Sequence, residues 1–194
     1  MLAAVENGTL GPSDVTSVYQ DFLRTYRDPR LAERAFRLFG PGVKDRPAVF
    51  ERYRGALTQN GNPAAGRQIF QSRCASCHQA EPFQPVFGSE LLDLRSGGKE
   101  KILRGIVEPS AEMRPENLTC VVQTQAGENL LGILTDHNQQ TITLRQATGD
   151  QVWPRGAIDF LQPQPWSLMP QGTEEGLSVQ GMADLLEYVL TAPR

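Results

Sequence analysis

The sequence predicts a mainly α-helical protein that carries a small antiparallel β meander as an insertion and a helical extension at its N-terminus. Apolar residues recur at helical spacing in the first 60 residues and again after Ser178. From 119 to 162 the apolar period changes from about 3.6 residues to about 2, which is typical of strands. We therefore expect a helical extension over 1–60 and a main domain over 61–194, with the β insertion at 119–162.

Three short helices are predicted in the N-terminal extension. Ser13 is a candidate N-cap for the first, Pro29 suits the first turn of the second, and the third runs from about Pro47 to Leu57. Two interpretations stay open. The helices are either the end of an upstream helical-repeat region, where a terminal pair resembles a cap, or a plain extension packed on the main domain.

The main domain is predicted to begin with a turn at 59–63 and a helix over 64–77. A second amphipathic helix covers Lys99 to Val107, and Ser178 caps a last helix that ends near Leu190. Between these helices, short alternating segments separated by turn residues predict an antiparallel meander of four or five strands over 119–162.

A Cys-x-x-Cys-His motif at Cys74, Cys77 and His78 carries the clearest chemical signal. In this pattern the two cysteine thiols bond covalently to the vinyl groups of a haem, and the adjacent histidine is the proximal iron ligand. A zinc knuckle would need two further ligands, and only Cys120 and His137 remain. A redox dithiol would need a βαβ setting, whereas a helix precedes the motif. The pattern therefore favours one covalently attached haem c.

The second axial ligand of such a haem separates an electron carrier from an open site. The candidates are Met113, Met169, Met182 and His137. Met113 and Met182 are interpreted as packing residues and His137 as a solvated turn residue. Met169 lies in an irregular loop just before the last helix and is followed by Pro170, which stiffens the chain. Without the β insertion, the span from His78 to Met169 fits one loop, one helix and a ligand loop, which favours Met169.

These features together resemble class I cytochrome c and, more narrowly, the planctomycete-type haem-binding cytochrome domain. The resemblance runs from about Val49 onward. It is carried by Gly66, Phe70, Cys74, Cys77, His78, Pro109-Ser110, Gly127, Gly132, Arg155-x-x-Ile158-Asp159, Ser167-x-Met169-Pro170, Leu185 and Tyr188. It implies that Gly66 and Phe70 let the first helix of the domain cross the last one closely, against Leu185 and Tyr188.

One segment departs from the family pattern. The family has Gly-Pro-Asp/Asn-Leu after the haem loop, where this chain has Gly88-Ser89-Glu90-Leu91. The resemblance implies a carbonyl there that accepts the N–H of the haem histidine, and Ser89 and Pro85 are the two candidates. Such a bond fixes the imidazole ring and raises its basicity.

The expected function is that of a monohaem c-type cytochrome domain that carries single electrons and is not itself an enzyme. The resemblance implies an electron-donating redox protein or an upstream dehydrogenase domain. It also implies a periplasmic or otherwise exported location, with the signal peptide outside this chain. Two alternatives remain: an enzyme or gas-binding sensor with an open or displaceable distal site, and a docking or carbohydrate-binding module formed by the β insertion.

Composition and two single residues complete the sequence-based expectations. The formal net charge is −3, no basic stripe suggests nucleic-acid binding, and no apolar run reaches the about 20 residues of a membrane helix. Cys120 is interpreted as a buried inert thiol rather than an intermolecular partner. Arg155, or the indole of Trp153 or Trp166, is a candidate for binding a haem propionate, with a surface arginine and two core aromatic residues as the alternative.

Overall fold

The computed structural model describes residues 1–40, 46–78, 91–114 and 117–192. The helices are α1 (Leu2–Glu6), α2 (Ser17–Arg24), α3 (Pro29–Phe39), α4 (Arg46–Tyr53), α5 (Pro63–Arg73), α6 (Leu92–Arg95), α7 (Gly98–Val107) and α8 (Val179–Thr191). The strands are β1 (Thr119–Thr124), β2 (Asn129–His137), β3 (Thr141–Gln146), β4 (Gly149–Pro154) and β5 (Ile158–Pro163). Among the described helices, none combines the length and apolar character needed to span a membrane.

The prediction of a mainly α-helical, cytochrome c-like fold with a small inserted meander is wrong. Strands make up 20% of the structure beside 46% helix. They form one five-stranded antiparallel sheet with the order β4-β3-β2-β1-β5. This sheet encloses a hydrophobic core of its own, so it is a structural unit rather than a minor insertion. The protein is a mixed α/β fold.

The sheet curls strongly, as the link between its two outer strands requires. A flat sheet of five strands would hold its outer strands about 19 Å apart. The chain from Pro154 to Ile158, which joins β4 to β5, can reach at most about 15 Å. The two outer strands must therefore approach each other.

Hydrogen bonds show how the curl closes around the short 3-10 turn Arg155–Ala157. The backbone N–H of Arg155 donates to the backbone carbonyl oxygen of Gln140, in the β2–β3 turn, at 2.7 Å. The backbone N–H of Gln125, in the β1–β2 turn, donates to the carbonyl oxygen of Ala157 at 2.8 Å. Both ends of β2 therefore lie next to the same three-residue turn. A register shift in the β2–β3 pairing supplies the bend.

All five strands contribute side chains to the apolar interior of the curled sheet. The fully buried members are Cys120, Val122, Ile142 and Leu144, and the partly buried ones are Leu130, Leu134, Trp153, Ile158 and Leu161. Along β1, Cys120 and Val122 point inward and Val121 points to the opposite face. Cys120 is 2% exposed, and burial raises the pKa of its thiol. Both observations favour the inert interpretation of Cys120.

A second core lies between the helices α4, α5, α7 and α8. Its largest buried members are Phe50, Tyr53, Phe70, Ile102, Leu103, Met182, Leu185, Leu186 and Tyr188. Met182 is fully buried there, in keeping with its interpretation as a packing residue. Helix α4 shares this core with the helices that follow residue 61, and the proposed division of the chain at residue 60 stays a prediction.

Helices α5 and α8 cross in direct contact, as the resemblance implied. A Cβ at Gly66 would overlap the carbonyl oxygen of Asp184 and lie 2.8 Å from the Cβ of Tyr188. One turn later, the rings of Phe70 and Tyr188 meet edge to face with their centroids 5.4 Å apart. Only a glycine permits this approach.

Helix α2 covers the outer face of the sheet. Val18 and Phe22 pack against Val121 of β1 and against Trp166, which follows β5. The N-terminal helices thus contact the rest of the chain, as the interpretation as a packed extension requires. The helical-repeat interpretation also stays open.

Gly66→Ala is expected to lower the free energy of unfolding by about 1–3 kcal/mol, because the new methyl group forces α5 away from α8. Gly156→Ala is the matched control, since a Cβ at Gly156 meets nothing within 4 Å. Urea unfolding measures both. Equal, small effects of the two substitutions would contradict the close crossing.

Candidate functional site

The two motif cysteines and the histidine lie in a closed turn at the end of α5. The N–H groups of Cys77 and His78 both donate to the carbonyl oxygen of Cys74, at 3.1 and 2.9 Å. The helix itself ends at Arg73, earlier than the predicted end at 77. It ends there because the carbonyl oxygen of Phe70 accepts from the N–H groups of both Cys74 and Ala75. The bond from Ala75 takes the place of the next regular helical hydrogen bond.

Burial differs among the three motif side chains. His78 is 9% exposed, whereas Cys74 and Cys77 are half-buried and form no disulfide. Cys74 packs against the helical core together with Ala75. Burial raises the pKa of the Cys74 thiol to about 11, against a smaller lowering by the nearby Arg73. Cys74 is therefore a protonated thiol at neutral pH.

Met169 lies in the loop of residues 164–178, which connects β5 to α8 and which we call the methionine loop. Two serine hydroxyls fix its backbone. Ser110, in the turn after α7, accepts from the N–H of Ser167 at 3.0 Å, and the Ser167 hydroxyl accepts from the N–H of Met169 at 3.1 Å. The half-buried Met169 is thus connected to the end of α7 through two hydrogen bonds.

The N-terminal helix α2 holds the same loop from another side. Trp166 is 6% exposed among Val18 and Phe22, and its indole N–H donates to the Thr25 hydroxyl at 3.4 Å. Two residues after Met169, the carbonyl oxygen of Gln171 accepts from the Ser17 hydroxyl at 3.3 Å. Helix α2 therefore contacts the methionine loop on both sides of Met169.

A buried ion pair anchors the last part of the methionine loop. The Glu174 side chain is 1% exposed, and its Oε1 lies 2.9 Å from Nη2 of Arg46 in α4. Arg46 also donates through Nε to the carbonyl oxygen of Val107 at the end of α7. The Tyr53 hydroxyl lies 2.9 Å from the carbonyl oxygens of Glu174 and Leu177. Removing one partner of such a pair costs about 3–5 kcal/mol, because the other charge stays buried.

The remaining site residues predicted from the sequence lie in other parts of the chain or outside the described residues. Arg155 is exposed in the turn that closes the sheet, and its proposed contact with a haem propionate stays a prediction. Ser89 and Pro85 fall outside the described residues. Met113 lines a groove of about 530 Å³ along α7, and the described lining includes neither the cysteine motif nor Met169.

Sequence reasoning missed the residues that support the methionine loop. Nothing in the linear sequence shows that Arg46 and Glu174, which lie far apart along the chain, meet in the interior. Ser110 and Ser167 lie in two of the short motifs that carry the family resemblance, and the joint occurrence of these motifs is the signal that points to their contact.

Comparisons with other proteins do not assign the site. No protein-family model matches the chain, and no curated protein matches it. Within the four described ranges, no three His, Cys, Asp or Glu side chains cluster as metal ligands.

In the chain without cofactor, Cys74 is expected to react with iodoacetamide at pH 8 about a hundredfold more slowly than an exposed thiol, because its raised pKa suppresses the thiolate. The rate should rise with pH up to about pH 11. Replacing Cys77 and Cys120 by Ala isolates the Cys74 signal, and the same variant in denaturant is the control. Equal rates in the folded and unfolded chain would contradict the burial of Cys74.

Proposed function

We propose that this chain holds one haem c and carries single electrons. Cys74 and Cys77 attach the haem, His78 is the proximal ligand and Met169 the distal one. The observation that carries the proposal is the closed turn after α5, in which two unbridged thiols and a buried imidazole occur within five residues.

The chemistry of the donor set fits this cofactor. Thioether attachment uses two free thiols, and Cys74 and Cys77 are both free. The imidazole of His78 and the thioether of Met169 would hold the iron, as histidine and methionine side chains do in cytochromes c. When bound, the haem supplies an iron that accepts and releases one electron.

The protein's own residues then tune and protect the site. Ligation by His78 and Met169 would favour the reduced iron and so raise the reduction potential. Ser110 and Ser167 hold the Met169 backbone in place. The side chains of Trp166 and Leu168 pack with α2 and the outer face of the sheet, which anchors the residues on either side of Ser167.

The proposal extends to a partner and a compartment. A redox protein or an upstream dehydrogenase domain would donate the electrons through a small, transient contact. Covalent attachment of haem to such a motif points to the periplasm or another exported location. Both statements come from the motif and its family resemblance.

Met169→Ala is expected to remove the weak long-wavelength absorption band of sulfur ligation from the oxidised holoprotein and to open the iron to carbon monoxide when reduced. The wild type should be six-coordinate and low-spin. Optical spectra of both redox states measure this. Met113→Ala is the matched control and should retain the band. A high-spin wild-type spectrum that Met169→Ala leaves unchanged would contradict methionine ligation and favour an open haem site.

A further inference from the structure

A single arginine connects the cysteine motif to the methionine loop. Arg73 is the last residue of α5 and immediately precedes Cys74. Its Nη1 donates to the carbonyl oxygens of Thr173 at 2.9 Å and Glu175 at 2.7 Å. One guanidinium nitrogen has two N–H groups, so it can serve both acceptors at once.

The two acceptors belong to a segment that is also held from inside the protein. The carbonyl oxygen of Glu174, between them, accepts from Tyr53, and the Glu174 carboxylate pairs with Arg46. Arg73 approaches the same segment from the exposed side. The segment 173–175 is therefore fixed between the helical core and the end of α5.

Met169 lies between two fixed points of the methionine loop. Ser167 is bound to Ser110 on one side, and Thr173 is bound to Arg73 on the other. Five residues separate these points, and Pro170 restricts the backbone between them. A segment this short cannot move Met169 far while both ends hold.

We propose that Arg73 is a positioning residue that holds the methionine loop at a fixed distance from the cysteine motif and so keeps Met169 on the haem iron. This inference rests on the proposed function. Arg73 touches neither the reacting iron nor a substrate and acts through the loop backbone.

Loss of Arg73 should increase the fraction of molecules in which Met169 has left the iron. A hydrogen bond from a charged group contributes enough free energy to change an equilibrium constant about tenfold. The contribution is smaller where solvent screens the charge. An external ligand binds only the open form, so its apparent affinity rises in proportion to the open fraction. Cyanide binding to the oxidised holoprotein measures that fraction.

The test compares cyanide titrations of wild-type holoprotein with Arg73→Ala, Arg73→Lys and Arg67→Ala. Arg67 lies on the exposed side of the same helix, so its removal controls for charge and for helix propensity. Arg73→Ala should bind cyanide about three- to tenfold more tightly and show a weaker sulfur band, with one haem per chain retained. Arg73→Lys should bind cyanide with an affinity between those of the wild type and Arg73→Ala. Arg67→Ala should bind cyanide with wild-type affinity.

Unchanged cyanide affinity and an unchanged sulfur band in Arg73→Ala would overturn the positioning role while leaving the proposed function intact. Absence of the sulfur band from the wild type itself would instead overturn methionine ligation, and the role of Arg73 with it. Should Arg73→Ala fail to accumulate with haem, Arg73→Met decides, because it keeps much of the bulk of the side chain and removes its hydrogen-bond donors together with its charge. Wild-type affinity in Arg73→Met overturns the inference, and tighter cyanide binding supports it.

Discussion

The buried ion pair between Arg46 and Glu174 is the contact on which the arrangement of the molecule depends most. It fixes the methionine loop to α4 and, through Arg46, to the end of α7. Three other parts of the chain meet the same loop: α2 packs on Trp166, the turn after α7 binds Ser167, and the curled sheet leads into the loop from β5. Because the pair is almost fully buried, its two charges need each other, and the loop has little freedom to leave this position.

The curled sheet can occupy this place because its two ends lie side by side. The N–H of Gln164, just after β5, donates to the carbonyl oxygen of Thr119, the first residue of β1, at 2.7 Å. The chain therefore enters and leaves the sheet at one point. The turn after α7 and the methionine loop stay in contact through Ser110 and Ser167, although the sheet separates them in sequence. The sheet in this way has an apolar core of its own beside the core between the helices.

Local patterns in the sequence predicted local structure well and long-range structure poorly. The Ser178 cap of α8 was foreseen from a short local pattern, whereas the long-range contact of Gly66 and Phe70 with α8 was implied by the family resemblance. The fold class was not foreseen, because strand periodicity shows which residues face inward but not that five strands curl around a common core. The ion pair at Glu174 was missed for the same reason, since charge in a sequence carries no sign of burial. The motif at Cys74 was evident from sequence alone, whereas Arg73 gained meaning only from its two carbonyl partners.

The intact mass of the chain, produced together with a bacterial system for covalent haem attachment, tests the central claim most directly. The account predicts a mass increase of one haem that survives denaturation. The increase should persist in Cys120→Ser and disappear when Cys74 and Cys77 are both replaced by serine. An unmodified mass for the wild type, under conditions that fully load a reference c-type cytochrome, would contradict the account.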